Sequence, residues 1–172
     1  MFKKSIIIAL LFSFLSVGCF KDGNVSFGPS VDRQYISIAL ANSVQTYYGA
    51  SEYRTVNKEW LTEVFWPEWK NDLYADGIRG WRGKFQCNAF AASFVSDLTR
   101  RYFVETFHSR NVAESPAVGV VWYFIGGDVT KYHALVVFVD ENLELWAFEI
   151  QTGKTFKFSE IELRGMTFEY FQ

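Results

Sequence analysis

The pattern of hydrophobic residues changes near Pro116, and this change constrains the fold more than any other feature of the chain. Before it, apolar residues recur every three or four positions, which is typical of helices. The predicted helices cover 32–49, 57–74 with an interruption at Pro67, and 87–107. After it, β-branched and aromatic runs predict strands at 118–125, 132–139, 143–150, 155–158 and 166–171. Helices followed by strands predict an α+β domain with a mostly antiparallel sheet.

The first 18 residues have the composition of an export signal. Two lysines precede an apolar stretch at 6–15, which is too short to span a bilayer comfortably. Small residues then lead into Cys19, an arrangement that resembles the lipobox of bacterial lipoproteins, in which the cysteine is acylated. We expect a lipoprotein signal at 1–18, lipidation of Cys19 and a tether at 19–32. An ordinary cleaved signal peptide and an N-terminal anchor helix are the alternatives.

A lipid on Cys19 implies that the membrane is a partner and that the protein lies in the bacterial cell envelope. Phe20 stands where an aspartate would favour retention in the inner membrane, so the outer membrane, with the domain facing the periplasm, is favoured.

The remaining chain is large enough for one domain with a hydrophobic core, which we place at 33–172. Two of the 17 basic residues and none of the 19 acidic residues lie in the first 18 positions, so acidic residues outnumber basic ones by 19 to 15 in the remainder. This balance argues against a nucleic-acid partner. We expect a monomer without a cofactor or a metal ion.

Cys87 is the one cysteine left after Cys19, so it has no disulfide partner within the chain. A free thiol in an oxidising compartment is a liability unless it is buried or used for chemistry. Cys87 starts the third predicted helix, and a helix N-terminus favours the thiolate, the nucleophilic form. Its backbone N–H is also a potential donor to an oxyanion. The alternative is a small buried hydrophobic residue.

The chain has two histidines. His108 lies at the far end of the helix that begins at Cys87, roughly 30 Å away at 1.5 Å per residue. His133 opens an apolar strand, which makes it the candidate base, or else a hydrogen-bonded histidine at a sheet end.

The hairpin after His133 supplies a third candidate. A three-residue loop at 140–142, with Asn142 in the left-handed conformation, places His133 directly opposite Glu149. Opposed side chains have Cβ atoms about 5 Å apart, within reach of a hydrogen bond. Glu149 is also a charged residue within an apolar run, where a charge requires a partner. A two-residue loop would instead place Ile150 opposite His133.

Three short motifs in this order resemble papain-like cysteine peptidases: Cys-Asn-Ala-Phe-Ala at 87–91, His-Ala at 133–134 and Glu-Ile-Gln-Thr-Gly at 149–153. They are most similar to a compact group that includes the protease domain of a mushroom lectin and small bacterial and phage proteins. The resemblance covers about residues 80–158. It implies a papain-like fold with Cys87 as nucleophile, His133 as general base and acid, and Glu149 orienting the imidazole.

The chain departs from the group's pattern at two places near the cysteine. The acidic pair that follows the cysteine in relatives, where it can take part in calcium binding, is Asn88-Ala89 here, so a metal dependence is not implied. Trp81 replaces the glutamine that completes the oxyanion hole, which leaves Gln86 and Arg82 as candidate donors. Gln151 is a further candidate for an oxyanion or substrate contact.

These features favour an exported, lipid-anchored cysteine hydrolase that cleaves an amide bond in a peptide. One alternative is a peptidoglycan amidase with the same chemistry and a cell-wall substrate. Another is a papain-like domain that has lost its activity and serves as a binding or exclusion lipoprotein.

Overall fold

A computed structural model describes residues 26–40, 49–79, 86–107 and 114–171 of the chain. The expected signal segment, Cys19, Trp81, Arg82 and His108 lie outside these residues. The fold is α+β, as the sequence pattern predicts. Its helices are α1 (Arg33–Ala39), α2 (Lys58–Trp60), α3 (Trp66–Ala75), α4 (Cys87–Thr106) and α5 (Glu160–Arg164). Its strands are β1 (Phe27–Asp32), β2 (Glu52–Val56), β3 (Glu114–Pro116), β4 (Val118–Phe124), β5 (Tyr132–Val139), β6 (Leu145–Glu149), β7 (Lys154–Phe156) and β8 (Thr167–Phe171).

The end of the expected tether is a strand. Residues 27–32 form β1, which pairs antiparallel with β2, and β2 pairs parallel with β3. The partly buried Phe27 ring packs against the rings of Trp60 and Tyr102, with centroids 5.3 Å and 5.0 Å away, and this aromatic contact anchors the segment. Asp32 caps α1 as predicted, because its Oδ1 accepts a hydrogen bond from the backbone N–H of Tyr35 at 2.8 Å.

The chain continues through the predicted interruption at Pro67 as a helix. A π-helical turn, Leu61–Phe65, joins α2 to α3, and the N–H of Trp66 donates to the carbonyl of Leu61. Pro67 follows in the first turn of α3. A proline ring collides with the carbonyl four residues earlier in a regular α-helix, and the wider π turn relieves that collision.

Among the described residues, a second sheet contains five antiparallel strands in the order β7-β6-β5-β4-β8. Helices α3 and α4 cover one surface of it, which we call the helical face. Its core contains Phe90, Phe94, Leu98, Val136, Phe138 and Phe148. On the other surface, the opposite face, α1 packs on the alternate side chains of the same strands. Its core contains Ile36, Tyr53, Val121, Leu135, Val137, Ala147 and Met166. Both faces of the sheet are therefore buried, which explains the nearly continuous apolar run of β5.

Candidate active site

Cys87 is the first residue of α4, as predicted. The preceding residue, Gln86, has an extended backbone (φ −97°, ψ −177°) and its carbonyl accepts the N–H of Phe90 at 3.0 Å. The N–H groups in the first turn of a helix have no acceptor within that helix, so the Cys87 backbone presents a donor at the helix start. The thiol is free and its residue is 9% exposed.

The side chains of His133 and Glu149 contact each other, although the two residues are not directly opposed across the strands as the sequence predicted. Nε2 of His133 lies 2.5 Å from Oε2 of Glu149, and each side chain is 20% exposed. A carboxylate that holds Nε2 fixes the orientation of the imidazole and leaves Nδ1 as the ring nitrogen for a second partner.

The loop that brings the pair together differs from the predicted one. The pairing of Val139 with Leu145 makes the connection five residues long, not three, and Leu143 (φ +63°), not Asn142, has the left-handed conformation. Asp140 stabilises the longer loop, since its carboxylate accepts the N–H groups of Asn142 and Glu144 and the indole N–H of Trp146. The register is shifted by two residues, and an even shift leaves Glu149 on the same face as His133.

The turn after β6 holds the Glu149 carboxylate from its other side. The backbone N–H of Gln151 donates to Oε1 of Glu149 at 3.1 Å. The N–H groups of Thr152 and Gly153 donate to the Glu149 carbonyl at 3.1 Å and 2.8 Å. Both carboxylate oxygens are thus engaged. Gln151 contributes to this site through its backbone, while its side chain is exposed.

Trp66 stabilises this turn through a hydrogen bond and a ring contact. This role was not predicted from the sequence. Its indole N–H donates to the Ile150 carbonyl at 2.6 Å. Its ring lies against Gly153, where a Cβ would come within 2.6 Å of the indole, and Gly153 has a φ of +74°. The glycine in the motif at 149–153 was the available signal, because a positive φ favours a residue without a Cβ.

Tyr123 is a further neighbour that sequence reasoning missed. It pairs with His133 across β4 and β5, and the ring centroids are 6.0 Å apart. Burial, followed by the negative charges of Glu162 and Glu149, raises the pKa of Tyr123 to about 12. Its phenol therefore keeps its proton at neutral pH.

Cys87 lies at the same end of the sheet as the pair. Phe90, one turn into α4, lines a groove together with Ile150 and Gln151, which directly follow Glu149. The imidazole, however, shares the opposite face with Leu135, whereas α4 packs on the helical face. Among the described residues, no hydrogen bond joins the Cys87 thiol to the His133 ring.

The described parts of the chain contain no candidate metal site and no helix that could cross a membrane. No group of three or more His, Cys, Asp or Glu side chains lies close enough there to hold a metal ion. The helices of the described ranges are too short or too polar to cross a membrane.

Comparisons with known proteins identify similar folds at low sequence identity. No family model and no curated protein matches the chain. The solved structure of a PSL1a-E64 complex matches with a TM-score of 0.57 and 16% identity over 82% of this chain and 50% of that one. A Polyporus squamosus lectin bound to a human-type influenza-binding epitope matches with a TM-score of 0.55 and 17% identity over 81% of this chain and 49% of that one. The chain thus spans about half the length of these lectins and shares a fold with that part of them.

Proposed function

We propose that the chain is an exported, lipid-anchored cysteine hydrolase of papain-like fold, in which Cys87, His133 and Glu149 cleave an amide bond. The observation that carries the proposal is the 2.5 Å contact between His133 Nε2 and Glu149 Oε2 at the end of the sheet where the Cys87 helix begins. The free thiol at a helix N-terminus supports it, as does the fold shared with the PSL1a-E64 complex.

In this mechanism His133 takes the thiol proton on Nδ1, and the Cys87 sulfur attacks the amide carbonyl carbon. The carbonyl π electrons move to oxygen, and the Cys87 backbone N–H donates to the resulting oxyanion. The C–N bond then breaks, and the imidazolium gives its proton to the leaving amine. Water, deprotonated by His133, attacks the thioester carbon. The C–S bond then breaks, the acid is released, and the imidazolium returns its proton to the Cys87 sulfur. Glu149 keeps the imidazole oriented and stabilises its charged form.

The reactivity of Cys87 tests this proposal. The Cys19→Ser variant has one thiol, Cys87. We expect iodoacetamide at pH 7 to alkylate Cys87 at least tenfold faster in the folded chain than in the same chain unfolded in urea. His133→Ala should lower the folded rate to the unfolded one. His108→Ala is the matched control and should leave the rate unchanged. A folded thiol that reacts no faster than the unfolded one, with no effect of His133→Ala, contradicts the proposal.

The substrate distinguishes the peptidase from the peptidoglycan amidase. Release of muropeptides from purified sacculi by the chain, and not by Cys87→Ser, would favour the amidase. New amino termini in a peptide mixture, with sacculi intact, would favour the peptidase.

A binding or exclusion lipoprotein without catalysis is the second candidate. It is favoured by the low exposure of Cys87 and by the absence of a hydrogen bond between its thiol and His133 among the described residues. Under this alternative, Cys87→Ser leaves the function of the folded protein in cells unchanged, whereas the hydrolase requires that it be lost.

A further inference from the structure

A groove of about 140 Å³ borders both elements that carry the proposed site. Phe90 of α4 lines it one turn after Cys87, Ile150 and Gln151 line it just after Glu149, and α3 contributes Trp69 and Lys70. Sites for drug-sized ligands begin at roughly 300 Å³. The groove is therefore of a size to receive one side chain of a larger substrate.

The charged residues that line this groove are cations. They are Lys70 and Arg79, and no acidic residue of the described chain lines it. The Lys70 ammonium lies 4.6 Å from the Trp66 ring centroid and 5.6 Å from that of Tyr74. Aromatic faces orient an ammonium group without neutralising it. Neither cation forms an ion pair with a carboxylate of the described residues.

In a neighbouring groove between α3 and α4, the cations are paired with acids. This groove has a volume of about 210 Å³ and also contains two cations, Arg100 and Arg101. Both are paired with acids, since Arg101 contacts Glu68 at 3.0 Å and Arg100 contacts Asp97 at 3.4 Å. The groove beside the proposed site instead presents two positive charges, with no acid among its described lining residues, in a chain whose acidic residues outnumber its basic ones.

We propose that this groove is a substrate subsite for a carboxylate, such as a glutamate or aspartate side chain next to the cleaved amide. The ammonium of Lys70 and the guanidinium of Arg79 supply charged donors, and a carboxylate is their natural acceptor. The exposed Gln151 side-chain amide offers a neutral donor. The assignment to substrate rests on the proposed hydrolase function, while the assignment of a carboxylate rests on the lining charges.

The test compares two peptides that differ in one carboxylate. Acetyl-Ala-Glu-Ala-amide and acetyl-Ala-Gln-Ala-amide are titrated into the folded chain, and the amide shifts of Lys70, Arg79 and Gln151 are followed by NMR. We expect the glutamate peptide to bind at least fivefold more tightly and to shift these residues. The preference should fall below twofold in the Lys70→Met/Arg79→Met double variant.

Lys58→Met is the matched control, because Lys58 also lies over an indole, 3.1 Å from the Trp146 centroid, but does not line the groove. It should retain the preference. Arg79→Gln alone changes an exposed side chain and should lose about half of the preference, so the test does not depend on folding of the double variant. Equal binding of the two peptides to the unmodified chain, or an undiminished preference in the double variant, overturns the proposal.

Alkylation of Cys87 in the same preparations separates this proposal from the proposed function. A reactive Cys87 without a glutamate preference overturns the carboxylate subsite and leaves the hydrolase. An unreactive Cys87 with the preference intact overturns the hydrolase and supports the groove as a carboxylate site.

Discussion

At the scale of single residues, Glu149 is the centre of the candidate site. One of its oxygens contacts His133 Nε2, and the other accepts the N–H of Gln151. A carboxylate held on both sides cannot rotate away from the imidazole without losing a hydrogen bond. The sequence predicted that this residue needs a partner, because it is an acid within an apolar strand, but the register from which His133 was chosen was wrong by two residues.

Tyr123 links this site to the pH dependence of stability. Its pKa is raised to about 12 in the folded chain, from an ordinary value near 10. Between these values the unfolded chain releases the phenolic proton and the folded chain keeps it, so stability falls as pH rises through this window and is unaffected below it. Tyr123→Phe should make the decline between about pH 10 and pH 12 shallower, as measured by urea unfolding.

Tyr74, which is exposed, provides a control for the loss of a tyrosine hydroxyl group. Tyr74→Phe should change the free energy of unfolding at pH 7 by less than about 0.5 kcal/mol. The same slope in Tyr123→Phe and the unmodified chain would show that the Tyr123 phenol titrates alike in the folded and unfolded states.

At the scale of the elements, the turn after β6 and the long loop before it determine the geometry of the site. Helix α4 and strand β5 have strong periodic patterns and were predicted to within one residue of their observed ends. The register of β6 was not predicted correctly, because it depends on hydrogen bonds from the loop to the buried Asp140. Helix α5 was also missed, although Ser159 and Glu162 form a capping box that is readable in the sequence.

Replacement of Gly153 by alanine tests the turn. The residue has a positive φ, and a Cβ there meets the Trp66 ring at 2.6 Å. We expect a loss of about 2–3 kcal/mol, from the backbone conformation and the collision together. Gly77→Ala is the matched control, since Gly77 has a φ of +83° and a Cβ added there would have no neighbour within 4 Å. It should cost about 1 kcal/mol.

Urea unfolding of the two glycine variants gives both values. Equal losses in Gly153→Ala and Gly77→Ala would mean that Trp66 yields to the added methyl group and does not fix the turn.

At the scale of the whole molecule, the sheet separates two packed layers. The fold class followed from the change of pattern near Pro116. The sheet formed by β1, β2 and β3 could not be predicted from that pattern, because these strands are short and pair across distant parts of the chain. Glu114 of β3 illustrates this, since it accepts hydrogen bonds from Ser30 and Tyr102 and pairs with Arg54 at 3.4 Å. Such contacts leave no periodic signal in a sequence.

The proposed mechanism requires contact between two groups that lie on different faces of the sheet. The Cys87 helix lies on the helical face, and the His133–Glu149 pair lies on the opposite face at the same end of the sheet. Catalysis requires that the thiol and the imidazole meet around this end. If they do, Glu149 acts on the thiol only through His133.

A double-mutant cycle on the alkylation rate of Cys87 measures this dependence most directly. With iodoacetamide at pH 7, we predict that His133→Ala and Glu149→Gln each slow the alkylation of Cys87. Glu149→Gln should slow it by roughly tenfold, because the base is no longer oriented. When His133 is already alanine, Glu149→Gln should have no further effect. An effect of Glu149→Gln that is equally large with and without the imidazole, or no effect of either variant, would contradict the account.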